Sequence, residues 1–131
     1  MEYYRNKGLV VGPILPEDCP ALAQGFAAQG WDKPESQFAG YLREQAQGTR
    51  KVLVARWQGE AAGYLTLLPE APAGPFAGKG WPEIVDFNVL GKLQRRGIGS
   101  RLMACAEEEA AKASRTVCLG VGVHSGYGAA Q

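Results

Sequence analysis

Gln94-Arg95-Arg96-Gly97-Ile98-Gly99, lying between the apolar run Pro82–Leu90 (PEIVDFNVL) and a long amphipathic segment, decides how this chain reads. Two glycines two positions apart remove side chains where a strand turns into a helix. Backbone N–H groups then converge at a helix N-terminus, where the positive end of the helix dipole favours an anion, usually phosphate. Arg95 and Arg96 add charge beside it. A phosphate-bearing cofactor is the first expectation.

Working outward, the segment after the turn places Ile98, Leu102, Met103, Ala106 and Ala110 on one side of a helix that runs to about Ser114. Thr116–His124 (TVCLGVGVH) reads as a further strand. Upstream, Lys51–Trp57 and Ala61–Leu68 flank Gln58-Gly59-Glu60 as an antiparallel hairpin, and the proline- and glycine-rich stretch from Pro69 to Gly80 is a surface loop. Gly8–Leu15 reads as the first strand. Pro16-Glu17-Asp18 opens a helix whose apolar face is Cys19, Leu22, Ala23, Phe26 and Ala27, and Gly30 stops it. Asp32 and Glu35 have capping-box spacing for a second helix that buries Phe38, Tyr41 and Leu42 and ends at Gly48. The order is β-α-α-β-β-β-α-β, a mixed α/β sheet in one domain over 1–131.

Three cofactor classes compete for the glycine turn. A P-loop needs a lysine followed by serine or threonine after its glycines, and none follows here. A dinucleotide fold wants a third glycine where Leu102 stands, and wants the turn near the start of a βαβ unit. Coenzyme A remains, with a pyrophosphate for the amides and a 3′-phosphate for the arginines. A tight strand–helix turn with no ligand is the bland alternative.

Gln94-x-x-Gly97-x-Gly99 is similar to the (Q/R)xxGx(G/A) motif of the GNAT superfamily of acetyl-CoA-dependent N-acetyltransferases, and the element order resembles that fold from about Leu9 to Gln131. The resemblance implies acetyl-CoA as co-substrate, its pyrophosphate held by Gln94, Arg95, Arg96, Gly97, Ile98, Gly99 and Ser100. It also implies a pantetheine arm lying in a seam between the strands at 82–90 and 116–124. Phe87, Asn88, Val89 and Leu90 would supply the backbone edge of that seam, a Val89 or Leu90 amide polarising the thioester carbonyl. An ungapped match to the histone acetyltransferase branch sets that branch's glutamate base at Glu83. The family's usual tyrosine acid falls beyond residue 131, and Tyr127 is expected to pack against pantetheine instead. Family members continue with a helix and two strands, so the resemblance is to a C-terminally incomplete domain whose last strand is an open edge. An open edge invites pairing, and a homodimer is among the expected partners.

The chemistry sets its own demands. A lysine-like amine has a pKa of about 10.4, so holding it neutral at pH 7 costs about 4.6 kcal/mol. A carboxylate can take that proton directly or through water. Glu83 and Asp86 are the candidates; three apart on a strand, they face opposite sides unless a bulge intervenes. His124, the one histidine, is a lesser candidate. Trp31, Phe38, Tyr41 and the loop at 69–81 are expected to line the acceptor pocket.

A net charge of +1 gives no electrostatic case for nucleic acid or an acidic membrane surface. Cys19, Cys105 and Cys118 have no metal-ligand spacing, and the N-terminal residues lack the apolar run of a signal peptide. No metal, no membrane and a cytoplasmic setting are expected. The leading reading is an enzyme that moves acetyl from acetyl-CoA to a primary amine of a small molecule or peptide. The alternative is a CoA- or acyl-CoA-binding module, a sensor or oligomerisation unit without turnover.

Overall fold

The computed structural model describes residues 2–68, 82–91, 97–111 and 118–119. Two short strands, β1 (Tyr4–Asn6) and β2 (Leu9–Pro13), precede helices α1 (Asp18–Ala28) and α2 (Glu35–Gln47). The hairpin β3 (Lys51–Trp57) and β4 (Glu60–Leu68) follows, then β5 (Glu83–Val89), helix α3 (Ile98–Ala111) and β6 (Cys118–Leu119). They form one six-stranded sheet in the order β1-β2-β3-β4-β5-β6. Neighbours are antiparallel through β5; β6 runs parallel to β5, the arrangement that a crossover through α3 requires. The mixed α/β class and its element order are those expected, with one strand added at the front.

That strand, β1, was not legible as a separate element. Lys7 and Gly8, at φ 50° and 88°, form a two-residue turn that folds Tyr4–Asn6 back onto Leu9–Val11. Gln58 and Gly59, at φ 51° and 86°, close the β3–β4 hairpin in the same way, so Glu60 belongs to the strand and not to the turn. The expected Asp32 cap is also corrected. Pro34, in extended conformation, is the N-cap of α2, and no side chain caps it. Helix α1 starts at Asp18 rather than Pro16. The Asp18 carboxylate accepts the Leu15 N–H at 2.7 Å and pairs with Arg56 of β3, which pins the helix start to the sheet.

The helices cover both sides of the sheet. Lys51 reaches Glu109 of α3 at 2.9 Å, and Lys51 pairs with Leu67 across the hairpin. Tyr64, three positions before Leu67, therefore faces the other side, where Phe26 of α1 and Phe38 of α2 meet its ring edge-on at 5.7 and 5.1 Å. Phe26, Phe38 and Tyr64 are wholly buried, as are Leu53 and Leu65. Of the expected α2 face, Tyr41 and Leu42 are only half-buried; Ala27 of α1 is exposed.

Candidate active site

Strand β5 carries the residue pattern on which the site depends. Leu65 pairs with Phe87 but Thr66 pairs with Val85, which leaves Asp86 as the extra residue of a bulge at φ 55°. Aspartate tolerates that left-handed backbone better than most non-glycine residues. The register gives the consequence. Glu83 pairs with Leu68, Val85 with Thr66 and Asn88 with Tyr64, so odd positions before the bulge and even positions after it share the face that holds α1 and α2. Glu83 and Asp86 therefore stand on one face, where plain alternation would part them.

Asp86 is the centre of a polar network. Its Oδ2 accepts from the Tyr41 hydroxyl at 2.5 Å, the Tyr64 hydroxyl at 2.8 Å and Gln37 Nε2 at 2.9 Å. Its Oδ1 accepts from Asn88 Nδ2 at 3.0 Å and lies 3.5 Å from Lys33 Nζ. Asn88 also donates to the Tyr64 oxygen at 3.2 Å. Burial, then the Asp86 charge, pushes the Tyr64 hydroxyl far above its ordinary pKa; burial, then the hydrogen bond to Asp86, does the same for Tyr41. Both stay protonated and donate.

Helical spacing explains how α2 reaches in, since Gln37 and Tyr41 are four apart on one face. The loop between the helices brings Lys33. Gly30, at φ 86°, ends α1, and the Trp31 N–H returns to the Phe26 carbonyl at 2.9 Å. Trp31 stacks on Phe26 with centroids 5.6 Å apart, and Lys33 Nζ then lies 6.0 Å from the Phe26 ring centre and 5.8 Å from that of Tyr64.

Sequence reasoning named Asp86, Asn88 and Tyr41 but missed Lys33, Gln37 and Tyr64. Tyr64 carried a signal. A tyrosine inside the small and aliphatic run AAGYLTLL brings a hydroxyl that needs a partner once buried. Phe38 is core packing, not an exposed pocket wall.

At the glycine turn, Gly97 is exposed at φ 79°, and its carbonyl accepts the Arg101 N–H at 3.0 Å in the first turn of α3. Ile98 and Gly99 are buried while Ser100 is exposed. Gln94, Arg95, Arg96, Tyr127, His124 and the loop at 69–81 lie outside the described residues. The expected role of the Leu90 amide needs correcting, because that N–H donates to the Ala62 carbonyl at 2.8 Å. Strand alternation turns the Val89 amide to the opposite edge, toward β6. Among the described residues β6 pairs with β5 only at Glu83 and Ile84.

Cys19 and Cys105 are buried free thiols, raised in pKa by burial. Among the described residues no acidic, histidine or cysteine cluster is placed to hold a metal ion, and no helix is long and apolar enough to cross a membrane.

No curated protein matches the sequence. A GNAT family acetyltransferase from Staphylococcus aureus superposes with a TM-score of 0.70 at 16% identity, over 89% of each chain. YncA from Salmonella typhimurium, a putative acetyltransferase solved with acetyl-CoA, gives 0.65 at 21% identity, over 88% of this chain and 70% of its own. An acetyl transferase from Salmonella typhimurium that modifies the N-terminal serine of ribosomal protein L7/L12 gives 0.66 at 17%, over 86% and 69%. At such identities the likeness is one of fold. The Acetyltransferase (GNAT) family profile, however, matches residues 20–127, which is most of the sequence, and the chain belongs to that family.

Proposed function

We propose that this protein transfers an acetyl group from acetyl-CoA to a primary amine of a small molecule or peptide. The observation that carries the reading is the bulge at Asp86, which sets two carboxylates on one face of the strand that leads to the glycine turn. The turn fits the cofactor. An exposed glycine with left-handed backbone opens a helix of 14 residues, and a helix N-terminus of this kind suits a diphosphate. Backbone at Gly97, Ile98, Gly99 and Ser100, with Gln94, Arg95 and Arg96 before it, would hold the phosphates. The arm would follow the β6 edge of β5 past Asn88, Val89 and Leu90. Bound there, acetyl-CoA supplies the activated acetyl group.

The two carboxylates divide the remaining work. Asp86 already accepts four uncharged donors and faces a lysine, which suits a carboxylate that orients its surroundings rather than one that takes a proton. Among the described residues the Glu83 carboxylate has no hydrogen-bond partner, and it is half-exposed on the same face. Glu83 is the base that removes the proton of the acceptor amine.

Calorimetry with acetyl-CoA, followed by a free-thiol assay over a panel of amines, tests this. Binding together with amine-dependent thiol release is expected. Binding without release for any amine would make the chain a CoA-binding module, and no binding would end both readings.

A further inference from the structure

The bulge leaves an aspartate in left-handed backbone within a sheet, and two side chains reach it from both ends. A peptide group is planar and turns as a unit, so φ of Asp86 fixes where the Val85 carbonyl points. That carbonyl accepts the hydroxyl proton of Thr66, the residue opposite Val85 on β4. Thr66 is wholly buried, and its oxygen in turn accepts from Arg50 Nη1 at 2.8 Å. The hydroxyl thus both gives its proton and receives one inside the fold. The Arg50 guanidinium carbon lies 4.6 Å from the centre of the Tyr41 ring, and its Nε donates to Glu44 Oε2 at 3.1 Å. Tyr41 and Glu44 are about one turn apart on α2, and the Tyr41 hydroxyl donates to the Asp86 carboxylate. Arg50 therefore acts on the bulged residue at two points: on the peptide group before it through Thr66, and on its carboxylate through Tyr41.

We infer that Arg50 and Thr66 are positioning residues that lock the bulge at Asp86 and so keep Glu83 on the face of α1 and α2. Left-handed backbone is unfavourable for an aspartate, and the bulge needs support from outside β5. Without it, residues 83–85 regain plain alternation with Phe87 by sliding one position along β4, and each of their side chains changes face. Glu83 would then leave the side on which Asp86 and α2 stand. Arginine suits the task better than lysine, because a planar fork can meet Glu44 with Nε and Thr66 with Nη1 while lying over a ring. The consequence for turnover rests on the reading of Glu83 as the base; the lock itself does not.

The test compares Thr66→Val, which keeps the volume and removes the hydroxyl, with Thr66→Ser, which keeps the hydroxyl, and with Arg50→Met, which keeps a stem and removes the fork. The NMR shift of the Asp86 Cα carbon distinguishes left-handed from extended backbone and needs no ligand. Thr66→Val and Arg50→Met are expected to move it toward the extended value, and Thr66→Ser to leave it in place. Amine-dependent turnover is expected to fall about tenfold in the first two, with acetyl-CoA affinity within about twofold of wild type, and to persist in Thr66→Ser. An unmoved shift in both Thr66→Val and Arg50→Met would overturn the proposal. So would an equal loss in Thr66→Ser and Thr66→Val, since packing alone would then explain Thr66. Arg50 is partly exposed, at 15% of its side chain, and Arg50→Met decides if Thr66→Val does not fold. A moved shift with turnover intact would sever Glu83 from the lock and overturn that half. If wild type releases no thiol with any amine, the acetyltransferase reading fails and the Asp86 shift still decides the lock.

Discussion

The Tyr64 hydroxyl, at the centre of β4, donates to Asp86 Oδ2, on the bulge of β5, at 2.8 Å. It is the deepest contact of the network, because Tyr64 is wholly buried while Asp86 is partly exposed. The bulge and the tyrosine depend on each other: without the extra residue the carboxylate would not reach Tyr64, and without the carboxylate a buried hydroxyl would lose its acceptor.

Tyr64→Phe keeps the ring packing against Phe26 and Phe38 and removes that donor. Asp86 Oδ2 loses one of three partners and Asn88 Nδ2 loses an acceptor. A loss of about 1–2 kcal/mol is expected, read as a lower urea midpoint at unchanged slope. An unchanged midpoint would mean the network adds nothing to stability.

The same hydroxyls predict how stability responds to alkali. Unfolded tyrosines ionise near pH 10, and folded Tyr41 and Tyr64 do so higher. The unfolded chain therefore gives up these protons first. The stability they contribute is complete below about pH 10 and is lost as pH rises beyond it. Urea midpoints measured from about pH 9 to 11 should fall more steeply in wild type than in Tyr41→Phe. Parallel curves would contradict the shifted tyrosines.

Gly97 and Gly48 allow a controlled comparison, since they have nearly the same backbone, φ 79° and φ 80°. A side chain at either costs about 1–2 kcal/mol of left-handed strain. Gly97→Glu is also expected to abolish acetyl-CoA binding, by adding negative charge at the turn proposed to hold the phosphates. Gly48→Ala, at the end of α2, should cost similar stability and leave binding intact. Calorimetry on both variants decides, and equal binding by both would remove the turn as the phosphate site.

Glu83→Gln should lower turnover about 100-fold or more with acetyl-CoA affinity unchanged. The rate should then depend on amine that is already neutral, so the rising limb of the pH–rate profile moves up toward the acceptor's own pKa. An unaltered profile would remove Glu83 as base.

The sequence was most readable where local chemistry decides structure. Gly97 is left-handed at the start of α3, Gly48 closes α2, and Gln58-Gly59 turns the hairpin, each because few other residues accept those dihedrals. Hydrophobic period separated the helices from the strands. The Asp32 cap was misjudged because capping-box spacing alone does not say where the chain becomes helical; Pro34 in extended conformation postpones the start. Strand β1 was missed because Tyr3-Tyr4-Arg5-Asn6 has no apolar alternation of its own and is defined by pairing with β2.

By itself, then, the sequence determined the glycine turn before α3, the order of helices and strands and the pair of carboxylates on β5. It did so because glycine placement and apolar spacing are local properties of the chain. Only tertiary structure decided that Glu83 and Asp86 share a face and that Lys33, Gln37, Tyr41 and Tyr64 converge on one of them. A bulge is a mismatch between two strands, and a hydrogen-bond network joins residues up to 53 positions apart. Neither exists until the sheet has closed.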